Sequence, residues 1–128
     1  MTQRKAIQTD RAPKAIGPYS QALQVSNTLY ISGQLGIDPA TGKLVAGGTA
    51  EQARQALKNI MAILVEANLN MHDVVQVQVF LGNIADFAAV NEVYKTFFVE
   101  PYPARGAFQV AALPAGASVE ILATAIKD

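Results

Sequence analysis

Apolar residues first gather in two short stretches, Gln21–Val25 and Thr28–Ile31, both rich in strand-formers. Ser26-Asn27 separates them and suits a tight hairpin turn. Asp38-Pro39-Ala40-Thr41-Gly42 supplies a second turn, its proline presetting φ and its glycine accepting a positive one. The period then lengthens. Ala53, Leu57, Ile60, Leu64 and Ala67 recur at helical spacing, while Glu51, Arg54, Gln55, Lys58 and Asn59 fall elsewhere on the wheel. Thr49, with Gln52 three residues on, predicts a capping box at the start of this helix. Asn68–Asp73 breaks the pattern.

Alternation follows in Val74–Leu81, which places Val75, Val77, Val79 and Leu81 on one face of a strand and Gln76 and Gln78 on the other. Asn83 is set to cap a second helix, with Asp86 in its first turn near the positive dipole end. Phe87, Val90, Tyr94 and Phe97 form the predicted buried stripe of that helix, and Pro101 and Pro103 prevent its continuation. Two strands, Arg105–Ala111 and Val119–Ile126, are joined through Leu113-Pro114-Ala115-Gly116. The order β-β-α-β-α-β-β predicts one α+β domain over residues 1–128, with two helices on one face of a mostly antiparallel sheet. The last strand adds a further expectation. Val119, Ile121, Ala123 and Ala125 share one side, and Leu122, Thr124 and Ile126 share the other with Glu120, so both faces are largely apolar. Two helices cover only one of them, and the other is expected to pack on another subunit of a homo-oligomer.

Composition narrows the chemistry. Hydrophobic residues make up 51% of the 128 and charged residues 16%, a balance suited to a packed core. Ten basic residues offset ten acidic ones, which argues against a protein built mainly to hold nucleic acid or an acidic membrane. The absence of cysteine removes disulfides, thiolate catalysis and cysteine-bound zinc, and a single histidine, His72, removes paired-histidine metal sites. No metal site is expected. The opening residues lack an apolar h-region and no apolar run approaches membrane-spanning length, so a soluble, cytoplasmic domain is expected.

Few residues carry a chemical signal. Gly42-Lys43 imitates a phosphate loop but fails it: five residues rather than four separate Gly36 from Gly42, and Leu44 stands where a metal-binding hydroxyl is needed. His72 reads as a solvent-facing loop residue. Arg105 opens a strand between small neighbours, Ala104 and Gly106-Ala107, that leave its guanidinium open to a carboxylate; the plainer reading is a surface arginine at a strand edge. Glu120 is the one acidic residue in an apolar strand. It must pair with a cation such as Arg105, reach solvent in a cleft, or serve as an acid/base. If the strands of Arg105 and Glu120 are hairpin neighbours, both side chains line one pocket. Tyr19 follows Ile16-Gly17-Pro18, and Gly33, in Ser32-Gly33-Gln34, permits close approach of a ligand to the backbone.

Taken together, these blocks resemble the RidA family, also called YjgF/YER057c/UK114, of reactive-intermediate deaminases. The resemblance covers nearly the whole chain. It rests on Ala15–Gln21, Ser32-Gly33-Gln34, Gln52–Asn59, Asp86–Asn91, Pro103-Ala104-Arg105 and Val119-Glu120-Ile121. It implies a bacillary chorismate-mutase-like α+β fold, a homotrimer with sites in clefts between subunits, and no cofactor. The implied reaction is hydrolysis of 2-imino acids or their enamine tautomers, such as 2-aminoacrylate, 2-iminopropanoate and 2-iminobutanoate, to a 2-keto acid and ammonia. Arg105 would hold the substrate carboxylate and Glu120 would activate water. Backbone groups around Gly33 and Ala107 would hydrogen-bond the reacting centre, and Tyr19, Ser32 and Asn91 would shape the pocket. Many members carry Ser-Cys after the arginine, where this chain has Gly106-Ala107. The rival readings are a non-catalytic module that binds a small carboxylate or keto acid, and an endoribonuclease or translation inhibitor. Balanced charge and one histidine weigh against the latter.

Overall fold

A computed structural model describes residues 3–128. Eight strands and two α-helices follow in the order β1 (Arg4–Ile7), β2 (Ala22–Val25), β3 (Thr28–Leu35), β4 (Ile37–Asp38), β5 (Lys43–Leu44), α1 (Thr49–Glu66), β6 (Val74–Leu81), α2 (Phe87–Tyr94), β7 (Ala104–Gln109) and β8 (Val119–Ile126). Six of the strands form one sheet in the order β1-β2-β3-β8-β6-β7, and β4 and β5 make a separate small hairpin. Every pairing in the large sheet is antiparallel except β6 with β7. A parallel pair needs a crossover, and α2 supplies it.

The expected α+β layer, with its helices on one face of a mostly antiparallel sheet, is present. Leu57, Ile60, Ile63 and Leu64 of α1 are buried against Leu29 of β3, Val77 and Val79 of β6, and Val119 and Ile121 of β8. A Cβ at Gly36 would collide with the backbone of Gln52, so only glycine lets α1 lie this close to the end of β3. The β2–β3 hairpin turns at Ser26-Asn27, with Ser26 in the left-handed region at φ 57°. Gly42 takes φ 73° in the turn from β4 to β5.

Several expectations need correction. The strands of Arg105 and Glu120 are not hairpin neighbours, because β8 lies between β3 and β6 and leaves β7 at the edge. The capping box is absent. Gly48, at φ 91°, occupies the N-cap without a side-chain bond. The Thr49 hydroxyl donates to Asp86 Oδ2 (3.0 Å) and shares a 2.8 Å bond with Ser118 Oγ, while Gln52 Oε1 accepts from Ser118 N (2.9 Å). Thr49 ties α1 to the residues leading into α2 and β8, and Gln52 ties it to the entry of β8, instead of closing their own helix.

Asn59, placed by sequence outside the apolar stripe, is fully buried. Its Nδ2 donates to the carbonyls of Leu35 (3.1 Å) and Ile37 (2.9 Å), satisfying the irregular backbone where β3 gives way to β4. In β6 a register shift between Val74 and Gln76 turns Val75 outward and buries Val74. Asn83 caps a single 3-10 turn, Ile84–Asp86, that leads into α2, its Oδ1 accepting from Ala85 N (2.9 Å). Helix α2 ends at Tyr94, well before Pro101, and Phe98 is buried more deeply than Phe97. Strand β1 was not anticipated: three of its four residues are exposed, two of them Arg4 and Lys5, as suits a sheet edge. Among the described residues no helix is long and apolar enough to cross a membrane.

Candidate functional site

The face of the sheet away from the helices carries a cleft of about 680 Å³. Tyr19, Ser32, Gly33 and Glu120 all line it, together with Ile16, Leu35 and Leu122. Its floor follows from a break in the β3–β8 ladder between Ile31 and Gln34, which places Gly33 beneath the Glu120 side chain. A Cβ at Gly33 would stand 2.6 Å from Glu120 Oε2 and 2.8 Å from Cδ. The missing side chain is therefore the space that the carboxylate occupies. Burial pushes the Glu120 carboxyl above the usual glutamate range. No lysine or arginine pairs with it among the described residues.

The wall that carries Tyr19 is braced rather than loose. Buried Gln21 accepts from Thr9 N (2.7 Å) at Oε1, and its Nε2 faces the carbonyls of Thr9 (3.0 Å), Ala12 (3.3 Å) and Pro13 (2.8 Å). Ser32 donates from Oγ to the Ser20 carbonyl (2.6 Å) and from its backbone N–H to the Gln21 carbonyl (2.9 Å). Ser32 thus lines the cleft with its hydroxyl already committed to holding the Tyr19-Ser20 segment. Gln21 was missed as a site-building residue, since a glutamine at a strand start carries no distinctive signal.

Arg105, Asn91 and Ala107 lie elsewhere. Arg105 pairs in register with Val77 and Ala107 with Val79, residues buried beneath the helices, so both side chains belong to the helix-covered face. There Arg105 Nη1 donates to Asn91 Oδ1 at 2.7 Å. Its Cζ lies 5.1 Å from the Phe87 ring centroid and 4.7 Å from that of Tyr94, both within cation–π range. Burial raises the Tyr94 phenol, and the nearby arginine charge opposes that rise. Ala107 is half-buried against the core. Gly106 faces the opposite side, where the Phe108 ring folds over it and stacks on Phe80 at 6.2 Å.

The predicted residues therefore fall into two separate clusters, one on each face of the sheet. Glu120 and Arg105 sit on opposite faces of one sheet, with β6 between their strands, which at ordinary strand spacing sets those strands about 10 Å apart. The Arg105–Glu120 ion pair is not formed; Arg105 takes Asn91 instead. His72 is exposed, as expected, and packs beside Phe97–Val99 in neither cluster.

An arginine held at one sheet edge and a carboxylate in a cleft on the open face sit on a small α+β domain, two helices on one face of a mostly antiparallel sheet. The chain belongs to the endoribonuclease L-PSP family, whose profile matches residues 9–127. It is 56% identical over 124 residues to the 2-iminobutanoate/2-iminopropanoate deaminase of Mus musculus, a match spanning 97% of this chain and 92% of that protein. Among solved structures, RidA from the Antarctic bacterium Psychrobacter sp. is similar with a TM-score of 0.93 at 51% identity, covering 96% of this chain and 99% of that one. E. coli TdcF with bound serine is similar with a TM-score of 0.92 at 43% identity, covering 97% and 99%. The RidA resemblance read from the sequence blocks is borne out by these relatives.

Proposed function

We propose that this chain hydrolyses 2-imino acids and their enamine tautomers, of the 2-aminoacrylate, 2-iminopropanoate and 2-iminobutanoate class, to 2-keto acids and ammonia. The carrying observation is the split site: a positioned guanidinium on one face and an uncompensated carboxylate on the other. One copy cannot apply both to one small molecule. A homotrimer with sites between subunits, the assembly that the family resemblance implies, brings Arg105 of one copy to Glu120 of the next. The open face has the surface for it, with Tyr30 and Phe108 each about half exposed beside Leu122.

In this reading Arg105 binds the substrate carboxylate through its fork, fixing the imine carbon. The Glu120 carboxylate, its basicity raised by burial, takes a proton from water as the oxygen attacks that carbon. The C=N bond becomes an amine on a tetrahedral carbon, and backbone groups near Gly33 and Ala107 hydrogen-bond this centre as charge develops. With the imine protonated at the start, Glu120 returns its proton to nitrogen and the C–N bond breaks to release ammonia. The hydroxyl proton passes to Glu120 as the C=O of the 2-keto acid forms. The name of the mouse relative supports the reaction, and the serine bound to the E. coli relative supports a site for a small α-carboxylate. The family description favours a second reading, RNA cleavage.

The test adds the purified protein to a threonine dehydratase reaction containing semicarbazide, which traps free imine. Suppressed semicarbazone formation, lost in both Arg105→Ala and Glu120→Ala, supports the proposal. Assembling the two variants together in equal amounts should restore about one quarter of wild-type activity, since half the subunits bring each intact group to a shared site. No restoration would refute the split site. Pyruvate binding without imine hydrolysis would favour a sensor, and RNA cleavage surviving Arg105→Ala would favour the nuclease.

A further inference from the structure

We infer that Phe87, Asn91 and Tyr94 of α2 form a positioning device for the Arg105 guanidinium, one that orients the cation while leaving its charge uncompensated. The inference rests on the reading of Arg105 as the carboxylate anchor. The three residues stand at i, i+4 and i+7, which places them on one stripe of the helix facing the edge strand β7. The sequence pattern reads Phe87 and Tyr94 as core, and the family resemblance implies that Asn91 shapes the pocket. The structure assigns all three to Arg105. The two rings approach its Cζ at 5.1 and 4.7 Å, and Asn91 Oδ1 takes one N–H at 2.7 Å.

The chemistry of the holders is the argument. Arg105 is exposed on an edge strand, where an untethered arginine retains most of its rotamer freedom and loses it on each binding event. Two ring faces and an amide oxygen remove that freedom in advance. A carboxylate in place of Asn91 would hold the arginine more tightly, but would neutralise it and compete with the incoming anion. Every holder here is neutral. The remaining guanidinium N–H groups make no side-chain hydrogen bond or ion pair among the described residues, so a planar fork stays available. Tyr94 fits the same logic. Its hydroxyl is buried without a partner among the described residues, which leaves the ring as the working part.

Pyruvate binding by calorimetry at two salt concentrations, with steady-state kinetics, tests this. Asn91→Asp, nearly isosteric, should weaken pyruvate binding about tenfold or more and raise KM, with kcat falling less. The loss should shrink at high salt, where the new ion pair is screened. Phe87→Leu and Tyr94→Leu should each weaken binding about 2- to 5-fold, and Tyr94→Phe, which keeps the ring, should recover what Tyr94→Leu loses. If Asn91→Asp does not fold, Asn91→Ala replaces it, with a loss of about tenfold expected from the missing charged hydrogen bond. Wild-type pyruvate affinity in the Asn91 and Phe87 variants, with binding lost in Arg105→Ala, would overturn the positioning role and leave the anchor standing. Wild-type affinity in Arg105→Ala would overturn the anchor and this inference with it.

Discussion

Replacing Gly33 with alanine adds one methyl group directly against the Glu120 carboxylate. The new Cβ would meet Oε2 at 2.6 Å, Cδ at 2.8 Å and Cγ at 3.1 Å, whereas ordinary contact begins at 3.4 Å. The carboxylate must retreat by about 0.8 Å, and rotation about Cγ–Cδ alone does not relieve it because Cγ is also crowded. A misplacement of about 1 Å can cost about 100-fold in rate, equivalent to about 2.7 kcal/mol of barrier. Gly33 does not sit at positive φ, so alanine is tolerated by the backbone, and the stability loss should stay near 1 kcal/mol or below. The semicarbazide assay should show kcat reduced by about 10- to 100-fold, with pyruvate inhibition little altered because Arg105 lies on the opposite face of the sheet. Glu120→Ala combined with Gly33→Ala should be no slower than Glu120→Ala alone, since the methyl group acts only through the carboxylate. Wild-type turnover in Gly33→Ala would refute the argument that Glu120 works from this position.

Glu120→Gln should abolish turnover yet raise the Tm at pH 7. The folded carboxyl is shifted upward by burial, so its favourable neutral form is fully present below the unfolded pKa and is lost as pH rises through the folded one. The Tm difference should therefore vanish below about pH 4, and a difference constant with pH would contradict it. Asn59→Leu leaves the Leu35 and Ile37 carbonyls without their donor, and urea unfolding should show a loss of about 2–4 kcal/mol. Phe108→Glu puts a charge on the half-exposed apolar face. Light scattering should report a lower mass with an unchanged circular dichroism spectrum, and imine hydrolysis should fall in parallel.

Strand β8 was legible to the residue because its two faces are both apolar over eight positions, and α1 was recognisable because its stripe runs for about four turns. The pairing of β8 was not. Chain neighbours joined by a short connection are ordinarily read as a hairpin, yet β8 hydrogen-bonds β3 and β6. Composition held a clue. A strand apolar on both sides belongs at the centre of a sheet, and strands bearing Arg4, Lys5 or Arg105 belong at its edges, where they are found. The misread polar residues share another cause. Thr49, Gln52 and Asn59 each had a plausible local role, as cap or solvated face, and each instead serves backbone or side chains distant in sequence. Local spacing carries no information on such bonds. The residue types of the candidate site were readable one by one, but their division between two faces required the strand order.

Under the proposed function, that division would give the apolar open face a chemical purpose. A carboxylate is a stronger base when dry, and a guanidinium binds an anion more tightly when water is excluded. Glu120 is only partly withdrawn from water within one chain, and Arg105 is exposed. Covering the open face with a second copy would desolvate the first group while delivering the second. It would also supply the opposite charge that the isolated cleft lacks. The same burial makes an ionised Glu120 costly to the fold, which is the cost that Glu120→Gln removes. Under the proposed function, assembly and catalysis would then be one event in energetic terms. A chain that balanced its own carboxylate with its own arginine would be more stable alone, and would have no charge left for the substrate.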